Sequence, residues 1–407
     1  ESELVAQLRS GVQDIYRSVH GIAFSGLGMF HFTRLDKLCR EWLGDTDGTF
    51  ANRLLAGVGD MEIAQAGLDL WRLASKAHKH PEVEEIILRG EQWPMVQERL
   101  AKARGGDEFL SDWGRFMMKH GHHTRGELEV YNPRWSEMPD YVLDTVRSYL
   151  QRIEGESVLE RHEGRARERE ELALECRRRL RNPFRRWLFD FYLRQAQSGC
   201  LLRENIKSVA VLYWAGMRFL LLELGERLAK KRILEDRDGI FFLEFHEIEG
   251  VGKNEARFDL RATIAARRAD YERNLTITPP NVVVGRFDPK TFVPEGVDGS
   301  LDTLSGIAVY PGVVTGLARV ILKTHTEERM FPGEILVAPF TDPGWTPYLL
   351  PAAAIVVDQG GLLSHGSIIA REYGIPTVVN VGSATKLVKT GQTIQVDGNR
   401  GIVRILR

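Results

Sequence analysis

The chain is 407 residues long, enough for two or three domains, each with its own core. Its 55 basic and 56 acidic residues leave a formal charge of −1, which excludes a global field steering it to nucleic acid or a membrane surface. Three scattered cysteines, Cys39, Cys176 and Cys200, make no disulfide framework or zinc site and fit a reducing cytoplasm; no run reads as approaching the roughly 18 apolar residues of a membrane span.

From Glu1 to about Thr278 the pattern is helical almost throughout, with amphipathic runs such as Met61 to His78 and Ile206 to Lys231. The first residue is not Met and no signal peptide is visible, so the chain reads as processed, trimmed or part of something longer. The early stretch Gly21 to Phe32 is apolar and dotted with glycine. It reads either as the lining of a pocket, through Phe24, Met29, Phe30 and Phe32, or as an ordinary core helix.

Between Phe116 and Trp135 stand His120, His122, His123, Arg125, Glu127 and Glu129. Histidines and carboxylates are metal ligands, but Gly121 and Gly126 interrupt the helix that would space them, so no metal site is assigned. A loop that fixes an anionic or hydroxyl-bearing ligand through Arg125 and a histidine is the better reading, against a buried polar turn that ties two helices together. The charge-dense stretch Arg161 to Trp187 alternates acid and base and reads as a solvated helix. Arg203 and Lys207 are four residues apart, so they share a helix face and suit a phosphate or a hydroxyl held between them. Arg267, Arg268 and Tyr271 are weaker candidates.

After Thr278 the chain loses periodicity and collects Pro and Gly, the texture of a linker. Short β-runs follow: Val313 to Leu322, Ile335 to Phe340, Ile355 to Val357, Thr377 to Val381, Thr393 to Val396 and Ile402 to Leu406. The stretch IVVDQGGLLSHGSIIAREYGIPTVVNV (Ile355 to Val381) reads as strand, glycine turn, helix from Ser367 to Tyr373, then strand. His365 is predicted on the loop just before that helix, with Arg371 and Glu372 pointing away from its buried face. The positive helix end keeps the imidazole neutral and nucleophilic, and favours an anionic phosphoryl group once attached. Gly360, Gly361 and Gly366 remove side chains where a phosphorylated partner must approach. The competing reading is a loop histidine that caps the helix.

Gly360, Gly361, Ser364, His365, Ser367, Arg371, Glu372, Gly374, Ile375 and Pro376 together resemble the phosphohistidine motif of the phosphoenolpyruvate-utilising (PEP-utilising) enzymes. The order of parts is similar to rifampin phosphotransferase and to the phosphohistidine subunit of phenylphosphate synthase. His-Gly-His-His-Thr-Arg and Pro-Arg-Trp resemble the former's substrate domain, with His123 where Arg is more usual. The resemblance implies a multidomain α plus α/β protein: a large, mainly helical substrate domain (1–285), a linker (286–302) and a small β/β/α swivelling phosphohistidine domain (303–407). It implies that His365 is transiently phosphorylated and that Arg203 and Lys207 stabilise the transferred group, with His123 catalytic. His120, His122, Arg125, Phe24, Met29 and Phe30 would bind substrate, and Gly360, Gly361, Ser364, Gly366 and Ser367 would form the phosphohistidine loop.

The same resemblance implies ATP and Mg²⁺ bound on an ATP-grasp domain or a partner subunit, since no glycine-rich phosphate loop is visible here. The expected activity is ATP-dependent dikinase-type phosphotransfer, through His365, to a hydroxyl of an organic acceptor, with AMP and phosphate released. The acceptor is a small phenol or benzylic alcohol, as in aromatic compound metabolism, or alternatively a rifamycin. From a different class, a non-catalytic phosphocarrier or regulatory protein would keep His365 without a hydroxyl-bearing pocket.

Overall fold

The computed structural model describes residues 2–406 except 47, 60, 125, 152–157, 253–258, 276, 278–284, 286–301, 323–329, 343–344 and 363, with backbone alone at 14–25 and a few other helical positions. The chain is mostly helical, with a mixed sheet in its C-terminal part. Helices α1 (Ser2–Leu43), α2 (Phe50–Leu54), α3 (Glu62–His78), α4 (Pro81–Leu88), α5 (Trp93–Leu100), α6 (Gly106–His120) and α7 (Pro139–Leu150) come first. Then follow α8 (Val158–Arg179), α9 (Pro183–Lys230), α10 (Phe245–Gly252) and α11 (Leu260–Leu275). Pro81, Pro139 and Pro183 stand where helices begin, since proline's missing N–H costs nothing there. The predicted linker falls, except for Asp302, outside the described residues.

Two compact units result, one of residues 1–17, 129–131 and 213–298, the other of 18–128, 132–212 and 299–407. In the smaller unit, Leu8, Leu224, Leu228 and Ile240 form an apolar core. Arg218 donates to the carbonyls of Val130 and Tyr131, and Arg267 and Arg268 are ion-paired to Glu247 and Asp236.

The larger unit holds the sheet. Its strands are β1 (Thr303–Ser305), β2 (Ile307–Tyr310), β3 (Val313–Val320), β4 (Ile335–Ala338), β5 (Ala354–Val357), β6 (Thr377–Val379), β7 (Thr393–Asp397) and β8 (Ile402–Ile405), in spatial order β1-β8-β7-β3-β4-β5-β6-β2. Strands β3, β4, β5 and β6 run parallel, and the outer pairings are antiparallel. Short helices α12 (Thr346–Leu349), α13 (His365–Tyr373) and α14 (Ala384–Leu387) join them. Strands β1 and β2 escaped the sequence reading, being only three and four residues long. Alternation splits the central strands: Ile335, Val337, Ala354 and Val356 fill one core, while Leu336, Ala338, Ile355 and Val357 pack with α13 and the helical residues of this unit. That second core holds the C-terminal module against the helices.

One expectation is corrected. Helix α9 does contain an 18-residue window of mean hydropathy 1.3, long and apolar enough by composition to cross a membrane. A core helix passes the same test, and α9 buries Cys200, Ala210, Val211, Ala215 and Leu224 along its length. Interspersed glycines and single charges interrupt the apolar run, yet its many Leu, Val and Ala residues keep the mean high.

Candidate functional site

Ligands of open parallel sheets bind beyond the carboxyl ends of the strands, and this sheet places two loops there side by side. The loop after β4 carries Thr341 and Asp342; the loop after β5 carries Gly360, Gly361, Ser364 and His365. Helix α13 starts earlier than predicted: Ser364 is its N-cap, and His365 is its first residue rather than part of the preceding loop. The Ile368 N–H donates to the Ser364 carbonyl at 3.0 Å, which draws His365 and Gly366 into the helix. Ser364 Oγ lies 2.9 Å from Ser367 Oγ, and Ser367 Oγ donates to the Gly361 carbonyl at 2.7 Å, so the two serines brace the turn.

The glycines of this turn differ in purpose. A Cβ at Gly366 would fall 2.3 Å from Thr341 Oγ1, and one at Gly360 would fall 3.3 Å from Val379 Cβ, so both answer to packing inside the module. A Cβ at Gly361 meets nothing within 4 Å, which leaves its face open for a partner. Gly374 ends α13 in the left-handed conformation at φ 68°.

His365 is buried, and neither ring nitrogen has a hydrogen-bond partner among the described residues. Burial, and next the Lys207 ammonium, hold its imidazole well below the ordinary range and therefore neutral, against the opposing pull of Glu127. His123 and Arg203 also act on it. The structure thus brings together four residues separated by up to 242 positions in the sequence, His123, Arg203, Lys207 and His365, with Glu127 among them.

Glu127 was seen in the histidine cluster but not singled out, and it is the hub. Its Oε1 lies 2.7 Å from His123 Nδ1, and its Oε2 lies 3.0 Å from Lys207 Nζ. Burial pushes the Glu127 carboxyl up, but Lys207 and His123 outweigh it and hold the group at about 2. Burial likewise depresses Lys207, and Glu127 and Glu204 raise it above its ordinary value. Arg203 is ion-paired to the buried Glu204. The His123-to-Glu127 spacing of four residues was the available signal, hidden because Gly126, at φ 58°, makes the connection a turn rather than a helix. Asp342 was also missed: its Oδ2 accepts the Gly126 N–H at 2.7 Å, tying the β4 loop to the histidine turn.

Of the other predicted residues, His120 and His122 pack against His123. His120 is fully buried with Nε2 2.8 Å from Asp69 Oδ2. The His122 ring stacks obliquely on His123, centroids 4.3 Å apart, and burial followed by His123 pushes it down to about 3. Phe32 belongs to the core, whereas Met29 and Phe30 are exposed on α1, with Arg34 over the Phe30 ring. Arg125 and the Phe24 side chain lie outside the described residues.

Two expectations about exposure fail. Arg371 and Glu372 are each 1% exposed, because the outer face of α13 packs on the helical residues instead of facing water. Arg371 donates to the Leu362 carbonyl at 2.5 Å and to Asn52 Oδ1 at 3.2 Å, and Glu372 Oε1 accepts the Val58 N–H at 3.3 Å. Helix α8 is not solvated all round either: His162 and Arg169 point inward, and the Arg165 guanidinium stacks over Tyr310 of the module.

Residues 19–204 match the family model described as rifampicin phosphotransferase fourth domain, and residues 330–401 match the mobile domain of PEP-utilising enzymes. The chain is 31% identical over 91% of its length to a rifampicin phosphotransferase of Streptomyces sviceus, and 30% identical over 95% to one of Bacillus cereus. It is 29% identical over 91% of its length to the prodigiosin synthesizing transferase PigC of Serratia marcescens. It spans only 42%, 44% and 42% of these three relatives, respectively.

Proposed function

Because the chain belongs to the PEP-utilising enzyme family and is similar to rifampicin phosphotransferases, we propose that it is the phosphoryl-carrying and acceptor-binding part of a phosphotransferase. The observation that carries the reading is the convergence of His365 with Lys207, Arg203 and the His123–Glu127 pair in one buried site. In this reading the C-terminal module swivels: it collects a phosphoryl group on His365 elsewhere and returns to the helices to deliver it. ATP and Mg²⁺ belong to a domain or subunit outside this chain, and supply the phosphoryl group with AMP and phosphate as products.

At delivery the acceptor oxygen bonds to phosphorus as the nitrogen–phosphorus bond to His365 breaks, and a proton on the ring's other nitrogen lets it leave as a neutral imidazole. Lys207 and Arg203 neutralise the charge on the phosphoryl oxygens, and burial strengthens both contacts by excluding water. Glu127 accepts a hydrogen bond from His123 Nδ1–H, which fixes the tautomer and leaves Nε2 to take the acceptor's hydroxyl proton. That nitrogen is buried and has no partner among the described residues. Three buried free cysteines support a reducing, cytoplasmic setting.

The acceptor is an organic hydroxyl, a small phenol or benzylic alcohol in the first instance. A rifamycin hydroxyl is the second reading, favoured by the match of residues 19–204 to the rifampicin phosphotransferase fourth domain. A single experiment tests the whole: the chain, together with its ATP-binding domain or partner subunit, is given ATP, Mg²⁺ and a panel of phenols, benzylic alcohols and rifampicin. Phosphoramidate on His365 by mass spectrometry, with AMP release and a phosphorylated acceptor, is the expected result. Phosphoryl transfer at an undiminished rate by His365→Asn overturns it, and phosphorylation of His365 with no acceptor consumed points to a phosphocarrier.

A further inference from the structure

Two buried polar groups face each other across the contact between the module and the helices, remote from the proposed chemistry. Glu372 stands on the last turn of α13, seven residues beyond His365 and therefore about 10 Å further along the helix axis. Its Oε2 lies 3.4 Å from His162 Nδ1 of α8, and neither atom has a hydrogen-bond partner among the described residues. Glu372 is 1% exposed and His162 is also largely buried. A carboxylate and an imidazole so placed are satisfied when one proton lies between them, and a contact that only filled space would use apolar side chains.

We propose that Glu372 and His162 form a proton-sharing latch that holds α13, and with it His365, against the helices, so that the docked state of the module depends on pH. Burial pushes the Glu372 carboxyl up to about 7, against the Val58 N–H and the charges of Arg371 and Arg169. Burial pulls the His162 imidazole down, with a contact to the Glu372 backbone and the charge of Glu163 opposing it and Arg169 and Arg72 adding to it. When the module leaves, Glu372 meets water and its pKa returns towards the ordinary 4.5. The docked state therefore holds the extra proton: the contribution of Glu372 is full below 4.5 and is lost as pH rises through about 7. His162 acts in the opposite sense, and its contribution is lost as pH falls below its ordinary 6.5. Docking is strongest between the two limbs, and the module is released on the alkaline side.

The inference rests on the proposed function only in taking the module to leave and return. Its test needs neither ATP nor acceptor, so failure of the phosphoryl chemistry leaves it standing. Spin labels are placed through Met118→Cys on α6 and Val313→Cys on β3, both exposed positions, the three native cysteines being buried. Distance distributions of the full chain between pH 6 and 8.5 then report the docked fraction. The docked-to-released ratio of the parent falls with rising pH, by up to about tenfold per pH unit for one proton, and Glu372→Gln flattens that fall. His162→Gln offers Oε2 a permanent N–H and flattens it without altering the module, which keeps the test decisive if the first variant does not fold. A parent whose docked fraction ignores pH, or variants that retain the parent's pH profile, overturns the latch.

Discussion

Lys207 Nζ lies 3.0 Å from Glu127 Oε2, and this ion pair joins the middle of the longest helix to the histidine turn. Glu127 is 3% exposed, so losing its charge leaves Lys207 without its nearest counter-ion in a largely dry site. Glu127→Gln is expected to cost about 3 kcal/mol, the lower end for breaking a buried pair, since the Lys207 side chain keeps 26% exposure. The urea unfolding midpoint measures it.

The same residue makes stability depend on acid. The Glu127 carboxyl is depressed from 4.5 to about 2, so its stabilisation is complete above pH 4.5 and is lost as pH falls towards 2. His122, depressed from 6.5 to about 3, adds a second loss that begins below pH 6.5. Unfolding midpoints from pH 7 to 3 should therefore decline in two overlapping steps. His122→Asn reduces the one that starts near neutrality, to which the depressed His365, His120 and His162 also contribute, and Glu127→Gln removes the one below pH 4.5.

Gly366→Ala places a methyl 2.3 Å from Thr341 Oγ1 and 3.2 Å from Thr341 Cβ. Threonine is stiff at Cβ, so the β4 loop or the start of α13 must shift, at about 1–3 kcal/mol. Thermal melting should fall in Gly366→Ala and recover in the double variant with Thr341→Ala. No recovery would place the strain elsewhere.

If Lys207 and Arg203 act on the transferring group, their loss appears in one half-reaction. Lys207→Ala and Arg203→Ala should each slow delivery to the acceptor by about 10²- to 10³-fold, the scale of a lost transition-state charge contact. Formation of phospho-His365 should proceed at the parent rate. Single-turnover kinetics starting from ATP, and separately from the phosphorylated chain, distinguish the two.

Tyr373 Oη donates to the Ala64 carbonyl at 2.8 Å from a buried position, joining α13 to α3. Tyr373→Phe removes that buried hydrogen bond and should destabilise the docked module by about 1 kcal/mol. Faster protease cleavage on the linker side of the module, without change elsewhere, is the expected readout.

What the amino-acid sequence determined by itself is local. The strand–glycine–histidine–helix–Gly-Ile-Pro order around His365, the short apolar runs of β4 to β6, and the shared face of Arg203 and Lys207 follow from turn chemistry and periodicity, which act over a few residues. Only the tertiary structure decided which of those residues meet. The central position of Glu127, the tie from Asp342 to Gly126 and the burial of Arg371 and Glu372 depend on a helix face packing against elements over 200 positions away. Nothing in a helix's own spacing separates a charged face turned to water from one turned to a distant helix, because the buried face satisfies its charges with partners the local pattern does not contain.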